Sequence, residues 1–244
     1  MRLDGKKVLV TGGTEGIGAA VVATLLKRRA RVVTCARHEP ASLPDGALSF
    51  KRCDLTSVGE RQDLIAWMAS EHPDTAVLIN NAAIQHLLDF HKTGWEEIQA
   101  ATALELSLNL EAPIMLSAGM LPILARQPEA AIVNITTGLA LAPKKSSPVY
   151  CATKAGLRSF TRALRYQVEE FAPHVQVQEV LPPLVDTRMT KGRGSGKLSP
   201  EAVAETLVSA IERGTEECYV GKSRLLRLVM RVVPSVAYRI LRSW

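Results

Sequence analysis

"KKVLVTGGTEGIGAA", which runs from Lys6 to Ala20, joins a short apolar run to a glycine-rich turn and then to a helical pattern. The run at 6–11 is rich in β-branched residues, which predicts a first strand. Gly12, Gly16 and Gly18 permit a tight turn and let backbone N–H groups approach a ligand at the positive end of the following helix. Glycine-rich turns also serve ordinary loops, but this position between strand and helix favours a pyrophosphate cradle.

Outward from this turn, seven apolar runs alternate with five helical patterns. The strands are predicted at 6–11, 30–36, 47–53, 75–80, 130–136, 175–181 and 217–221, and the helices at 16–29, 57–71, 95–125, 149–171 and 200–213. Strands that are apolar almost throughout are typical of a parallel sheet with helices on both faces. The predicted fold class is α/β, a doubly wound parallel sheet (Rossmann fold) of seven strands, in one domain spanning 1–244.

Composition excludes several classes of protein. Residues 1–221 carry 24 basic and 24 acidic side chains, a balance that argues against nucleic-acid binding. The N-terminal apolar run is too short for a signal peptide, and the sequence suggests no membrane span, so a cytoplasmic location is expected. The four cysteines show no metal-ligand spacing, and His86, His91 and His174 stand apart from other ligand residues, so no metal site is assigned.

The net charge of +6 resides in the last 23 residues, 222–244, which carry six basic side chains and no acid. Leucines and valines are interleaved there with arginines in an amphipathic pattern that Pro234 interrupts. Three interpretations stay open: packing on a partner subunit, closure over the substrate pocket, or peripheral contact with an anionic membrane at its inner face. The polar, glycine-rich stretch 187–199 is interpreted as a mobile loop.

The end of the second strand bears on cofactor choice. A protein selective for NAD usually offers an acid there to the ribose 2′-hydroxyl, but this sequence has Arg37. Arg37 favours a 2′-phosphate and therefore NADP, whereas Glu15 in the turn weakly favours NAD. The prediction is NADP rather than NAD.

Tyr150 and Lys154 lie one turn apart on the predicted helix 149–171 and share a face. A phenol titrates near pH ~10, and a neighbouring cation favours the phenolate. An isolated pair of this kind also fits a solvated surface. Lys144 and Lys145 precede this helix in a polar turn, where a solvated loop is favoured over attraction of an anionic substrate.

Several motifs accompany this pair in order: "TGGTEGIG" at 11–18, "CDL" at 53–55, "NNAA" at 80–83, "LSLNLEA" at 106–112, "IVNITT" at 132–137, "YCATK" at 150–154 and "PPLVDT" at 182–187. Together they resemble the short-chain dehydrogenase/reductase family over nearly the whole length. Within that family the sequence is similar to bacterial oxidoreductases associated with teichoic-acid D-alanylation operons.

The resemblance implies hydride transfer between NADP(H) and a carbonyl or alcohol substrate. Tyr150 would be the acid/base, Lys154 would bind the ribose and depress the pKa of Tyr150, and Asn109 would position a water. Thr137 stands where the family usually has serine and would contact the substrate oxygen. Pro183 replaces the usual glycine. A catalytically weak cofactor-binding sensor or scaffold, and a protein acting through a basic membrane-binding tail, remain the alternatives.

The resemblance also implies the cofactor-binding residues and a homodimer or homotetramer joined through the helices 95–125 and 149–171. The residues implied in cofactor binding are Gly12, Thr14, Glu15, Gly16, Ile17, Gly18, Arg37, Asp54, Leu55, Asn81, Ala82, Ala83, Tyr150, Lys154, Pro182, Val185 and Thr187.

Overall fold

The structure, a computed structural model, describes residues 1–39 and 47–242. The described strands form one parallel sheet in the order β3-β2-β1-β4-β5-β6-β7. They are β1 Lys7–Thr11, β2 Arg31–Ala36, β3 Leu48–Arg52, β4 Thr75–Asn80, β5 Ala130–Ile135, β6 Val175–Leu181 and β7 Glu217–Tyr219. The predicted seven-stranded, doubly wound sheet is confirmed.

Helices cover both faces of this sheet. They are α1 Gly16–Lys27, α2 Val58–Glu71, α3 Trp95–Leu106, α4 Ala112–Leu124, α5 Pro148–Phe171, α6 Pro200–Arg213, α7 Ser223–Val232 and α8 Pro234–Leu241. Successive strand residues point to opposite faces, so Val8 and Val10 pack into the core beneath α1 and α6, whereas Leu9 packs beneath α2 and α4. This double burial explains the almost wholly apolar strands.

The helix predicted at 95–125 is interrupted by a π-turn at Ser107–Glu111, between α3 and α4. Pro113 has no N–H, so it cannot donate the usual α-helical bond to the carbonyl of Asn109. The helical turn there contains one more residue than an α-helical turn, and its hydrogen bonds join residues five apart. The sequence analysis missed this irregularity, which contains one of the predicted catalytic residues.

The segment Trp95–Leu124 is long and apolar enough to cross a bilayer on length and composition, and an 18-residue window within it has a mean hydropathy of 1.3. However, α4 packs against β4, β5 and α2 and buries Leu116, Met120 and Leu124 in the core. These contacts are those of a core helix, and they account for its apolar composition.

Candidate active site

A cavity of about 1160 Å³ lies at the carboxyl ends of the strands. Its walls include residues that directly follow five strands: Gly12 after β1, Arg37 after β2, Asn81 after β4, Thr136 after β5 and Pro182 after β6. The chain winds from β1 to β3 on one side of the sheet and from β4 to β7 on the other. The cavity therefore sits at the topological switch point, where such sheets bind ligands.

The cavity brings together every predicted site residue except Asn109. Its lining includes Gly12, Thr14, Glu15, Gly16, Ile17, Gly18, Arg37, Asp54, Leu55, Asn81, Ala82, Ala83, Thr137, Tyr150, Lys154, Pro182, Val185 and Thr187. Residues far apart in sequence thus share one wall, because parallel strands end at the same edge.

The glycine turn is held in a shape that side chains would disrupt. Gly12 has a φ of +65°, and a Cβ on Gly18 would lie 2.1 Å from the carbonyl oxygen of Gly12. The Asn81 side chain donates hydrogen bonds to the carbonyls of Thr11 (2.9 Å) and Gly12 (3.1 Å). β4 therefore fixes the turn, which leads into the N-terminus of α1.

The charged groups near the end of β2 include an ion pair that was not expected from the sequence, between Glu15 and Arg188. Arg37 is exposed, and Glu15 pairs with Arg188 at 3.2 Å. Burial would raise the pKa of Asp54, but hydrogen bonds from Thr56 and the charge of Arg37 outweigh it and lower that pKa. Because Arg188 engages Glu15, the argument from Glu15 against a 2′-phosphate is weakened.

Tyr150 and Lys154 are both buried on α5, and the Lys154 ammonium lies 5.9 Å from the Tyr150 ring centroid. Desolvation lowers the pKa of Lys154 to about 8. Burial, and secondarily the charges of Cys151 and Glu105, raise the pKa of Tyr150. This differs from the expected depression by Lys154: the protein groups alone keep the phenol protonated at neutral pH.

The two other predicted catalytic residues differ in their access to the cavity. Thr137 lines it and accepts a hydrogen bond from the N–H of Leu139 (3.3 Å). Asn109 is fully buried in the π-turn, where its side chain accepts from the N–H of Ile84 and donates to the Ile84 carbonyl, both at 2.9 Å. Asn109 thus supports the cavity wall from behind.

A family model described as short chain dehydrogenase matches residues 6–197. The chain belongs to the short-chain dehydrogenase family. The uncharacterized oxidoreductase DltE of Bacillus subtilis (strain 168) is 38% identical over 229 residues, covering 89% of this chain and 88% of that protein. This relative confirms the narrower resemblance drawn from the motifs.

Solved structures of short-chain dehydrogenases share the fold. One from Burkholderia cenocepacia J2315, in complex with NADP, matches with a TM-score of 0.88 and 24% identity, covering 99% of both chains. Another from Burkholderia phymatum, in complex with NAD, matches with a TM-score of 0.83 and 18% identity, covering 97% of this chain and 96% of that one. The fold is therefore shared by members that bind different nicotinamide cofactors.

In this short-chain dehydrogenase the cavity contains polar groups that the sequence analysis did not assign. His86 lines it, and its ring Nδ1 lies 3.1 Å from a carboxylate oxygen of the fully buried Glu105. Lys144 is half-buried in the lining, so the interpretation of this lysine as part of a solvated loop is wrong. Arg193, from the glycine-rich loop 187–199, also reaches the cavity. The contact between His86 and Glu105, and the approach of Lys144 and Arg193 to the cavity, arise from tertiary structure and leave no local sequence signal.

The C-terminal helices of this short-chain dehydrogenase close part of the cavity. Leu226 and Val229 of α7 and Ala237 and Leu241 of α8 line it. Of the three interpretations left open, closure over the pocket is therefore observed, although the outer faces of α7 and α8 stay exposed. Residues 243 and 244 of the predicted 222–244 segment lie outside the described residues.

Proposed function

We propose that this chain is an enzyme that transfers a hydride between NADP(H) and a carbonyl or alcohol substrate. The observation that carries the proposal is the convergence of Tyr150, Lys154 and Thr137 on the cavity that also contains the glycine turn. The phenol of Tyr150 and the hydroxyl of Thr137 can there act on one substrate oxygen, with the Lys154 ammonium beside the cofactor site. The bound nicotinamide would supply or accept the hydride.

The roles of the side chains follow from their positions. Thr137 would hold the substrate oxygen through its hydroxyl. Tyr150 would give its proton to that oxygen as negative charge develops in carbonyl reduction, and would take a proton back in alcohol oxidation. Lys154 would bind the cofactor ribose and stabilise the resulting phenolate.

NADP is the proposed cofactor. Arg37 is exposed beside the cavity at the end of β2, and Glu15 is engaged by Arg188, so the charge there favours a 2′-phosphate. The residues fit the nucleotide's other parts as well, because the turn 12–18 would hold the pyrophosphate at the N-terminus of α1. A fluorescence titration with NADPH and, separately, NADH tests this choice.

The experiment that tests the activity is a screen of carbonyl compounds for NADPH oxidation, with Tyr150→Phe as the blank. Turnover that disappears in the blank supports the enzyme. Tight NADPH binding without turnover of any compound would instead favour the alternative of a cofactor-binding sensor or scaffold.

We also propose that the chain forms a homodimer or homotetramer through α3, α4 and α5. These helices expose large apolar side chains on the surface away from the sheet: Leu106, Met115, Tyr166 and Phe171. Apolar surface of this kind is typical of subunit interfaces. Light scattering of the purified protein, compared with a Met115→Glu variant, tests the assignment.

A second proposed role is peripheral contact of α7 and α8 with the anionic inner face of a membrane. Leu225, Leu228 and Val232 lie on one stripe of α7 and are 64%, 59% and 68% exposed. The segment 222–242 carries six basic residues and no acid. A symmetric contact between two copies through this patch would oppose like charges, whereas anionic lipid complements them.

Vesicle co-sedimentation tests the membrane contact without removing helices that line the cavity. We expect binding to phosphatidylglycerol-containing vesicles, little binding to phosphatidylcholine alone, and loss on Leu228→Glu/Val232→Glu. Val58→Glu, at a 57% exposed valine on α2, is the matched control. Equal binding to both vesicle types, or no effect of the double substitution, would exclude this role.

A further inference from the structure

Lys144 and Arg193 are two of the cationic side chains that line the cavity. Lys144 lies in the loop that leads into α5, six residues before Tyr150, and Arg193 lies in the loop 187–199. Arg193 is held in place because its guanidinium donates a 2.6 Å hydrogen bond to the side chain of Gln85. Both side chains are half-buried, and both line the cavity.

Within the ranges 1–39 and 47–242, Lys144 and Arg193 form no ion pair, although other cations of the same loop do: Arg188 pairs with Glu15 and Lys197 with Asp186. Burial, and secondarily the positive charge of Arg193, lower the pKa of Lys144. Two cations that line one partly desolvated cavity and have no ion-pair partner in those ranges are a natural site for an anion.

This anion would be distinct from the cofactor phosphates. The turn 12–18 provides the phosphate cradle at the N-terminus of α1. Lys144 instead precedes the helix that carries the proposed acid/base, and Gln85, which holds Arg193, follows the end of β4 beyond the "NNAA" motif. Apolar side chains of α7 and α8 line the same cavity, which leaves an apolar surface for the rest of a substrate.

We propose that Lys144 and Arg193 form a subsite for an anionic group, a carboxylate or a phosphate, on the carbonyl substrate. The inference rests on the proposed function and deepens it, because it makes the substrate class amphipathic anions. Specificity then comes from the charged pair at one end of the substrate and from α7 and α8 along its apolar part.

The test measures binding without turnover. The protein is saturated with NADP⁺, or with NAD⁺ if that binds more tightly, and titrated calorimetrically at low ionic strength with 4-acetylbenzoate and 4-acetylbenzamide, which differ mainly in charge. We expect the acid to bind about tenfold more tightly. Lys144→Met and Arg193→Met should each reduce the affinity for the acid to nearly the affinity for the amide. Adding 4-acetylphenyl phosphate to the series distinguishes a dianionic group from a carboxylate.

Lys145→Met is the matched control, because Lys145 is the exposed neighbour that does not line the cavity. It should leave the preference for the acid unchanged. Equal binding of acid and amide, no measurable binding of any probe, or an equal loss in Lys144→Met and Lys145→Met would overturn the subsite. Because oxidised cofactor cannot reduce the ketone, retained acid preference without NADPH turnover would count against the proposed catalysis alone.

Discussion

The ammonium nitrogen of Lys154 lies 2.9 Å from the carbonyl oxygen of Ile135, where both residues are almost inaccessible to solvent. The carbonyl of this last β5 residue orients the lysine toward the cavity. A buried ammonium is costly, and one neutral carbonyl offsets only part of that cost. The arrangement indicates a group positioned for a ligand at the expense of stability.

Replacing Lys154 with methionine should therefore stabilise the cofactor-free protein while abolishing turnover. Desolvation lowers the pKa of Lys154 from 10.5 to about 8. Removing that penalty and one hydrogen bond should raise the free energy of unfolding by about 1–2 kcal/mol at pH 7. Urea unfolding measures it, and a less stable variant would show that the ammonium is structural.

The same substitution makes a prediction about pH. The folded pKa lies below the unfolded value, so the unfolded chain binds more protons between about pH 8 and 10.5. The contribution of Lys154 to stability therefore becomes more favourable as pH rises through that window. The difference in unfolding free energy between Lys154→Met and the parent should therefore shrink in that window. A difference that stays constant with pH would contradict desolvation of Lys154 as its cause.

Replacing Tyr150 with phenylalanine should reduce turnover by at least about a thousandfold, because the proposed proton donor is lost. Cofactor affinity should stay nearly unchanged, since the aromatic ring remains. Tyr166→Phe, an exposed tyrosine on the same helix, provides the control and should retain the parental rate. Activity measured with any substrate from the carbonyl screen decides the matter. Full activity in Tyr150→Phe would remove the assigned acid/base.

The sequence was sufficient for features governed by local periodicity. The turn 12–18 and the strand ends are set by glycine positions and apolar runs, and strand ends of a parallel sheet necessarily converge, so the position of the cavity could be predicted from them. The residues that line it away from the strand ends, such as Tyr150 and Lys154, were predicted from the family resemblance. The π-turn at Ser107–Glu111 was missed because Pro113 changes backbone hydrogen bonding without altering the apolar pattern.

Features set by tertiary contact were beyond the sequence. The Glu105 carboxylate accepts a hydrogen bond from the backbone N–H of His86 and lies within hydrogen-bond distance of its ring, although the two residues are 19 positions apart. No sequence pattern near either residue predicts this contact. Burial of Lys144 depends on loops that meet only in the folded chain. The raised pKa of Tyr150 in the protein without cofactor could not be predicted for a similar reason, because it depends on how deeply the folded chain buries the phenol.

An ion-pair network beside the sheet makes the fold sensitive to acid. Burial would raise the pKa of Glu217, but hydrogen bonds from Tyr219 and Arg162 and the charge of Arg158 hold it at about 2. A depressed carboxyl pKa adds stability above the unfolded value of 4.5, and this is lost as pH falls toward 2. Glu217→Gln should cost about 1–2 kcal/mol at pH 7.

Urea unfolding between neutral pH and the lowest pH at which the protein folds checks this prediction. The difference between Glu217→Gln and the parent should diminish below pH 4.5. Glu216→Gln is the control, because its carboxylate is 66% exposed and pairs with Arg165 at 3.3 Å. An equal loss in both variants would show that general surface charge, rather than the network, is responsible.

Replacing Arg37 with serine should weaken NADPH binding about tenfold and leave NADH binding unchanged, because only NADPH carries the 2′-phosphate. Arg37 is exposed, so the contribution should decrease as salt is added. Arg126→Ser is the control: this exposed arginine follows α4 just before β5 begins, at the opposite edge of the sheet from the cavity. Fluorescence titration with both nucleotides gives the two affinities. An equal loss for NADPH and NADH would mean that Arg37 supports the adenosine half generally, and the preference for NADP would then have to come from another group.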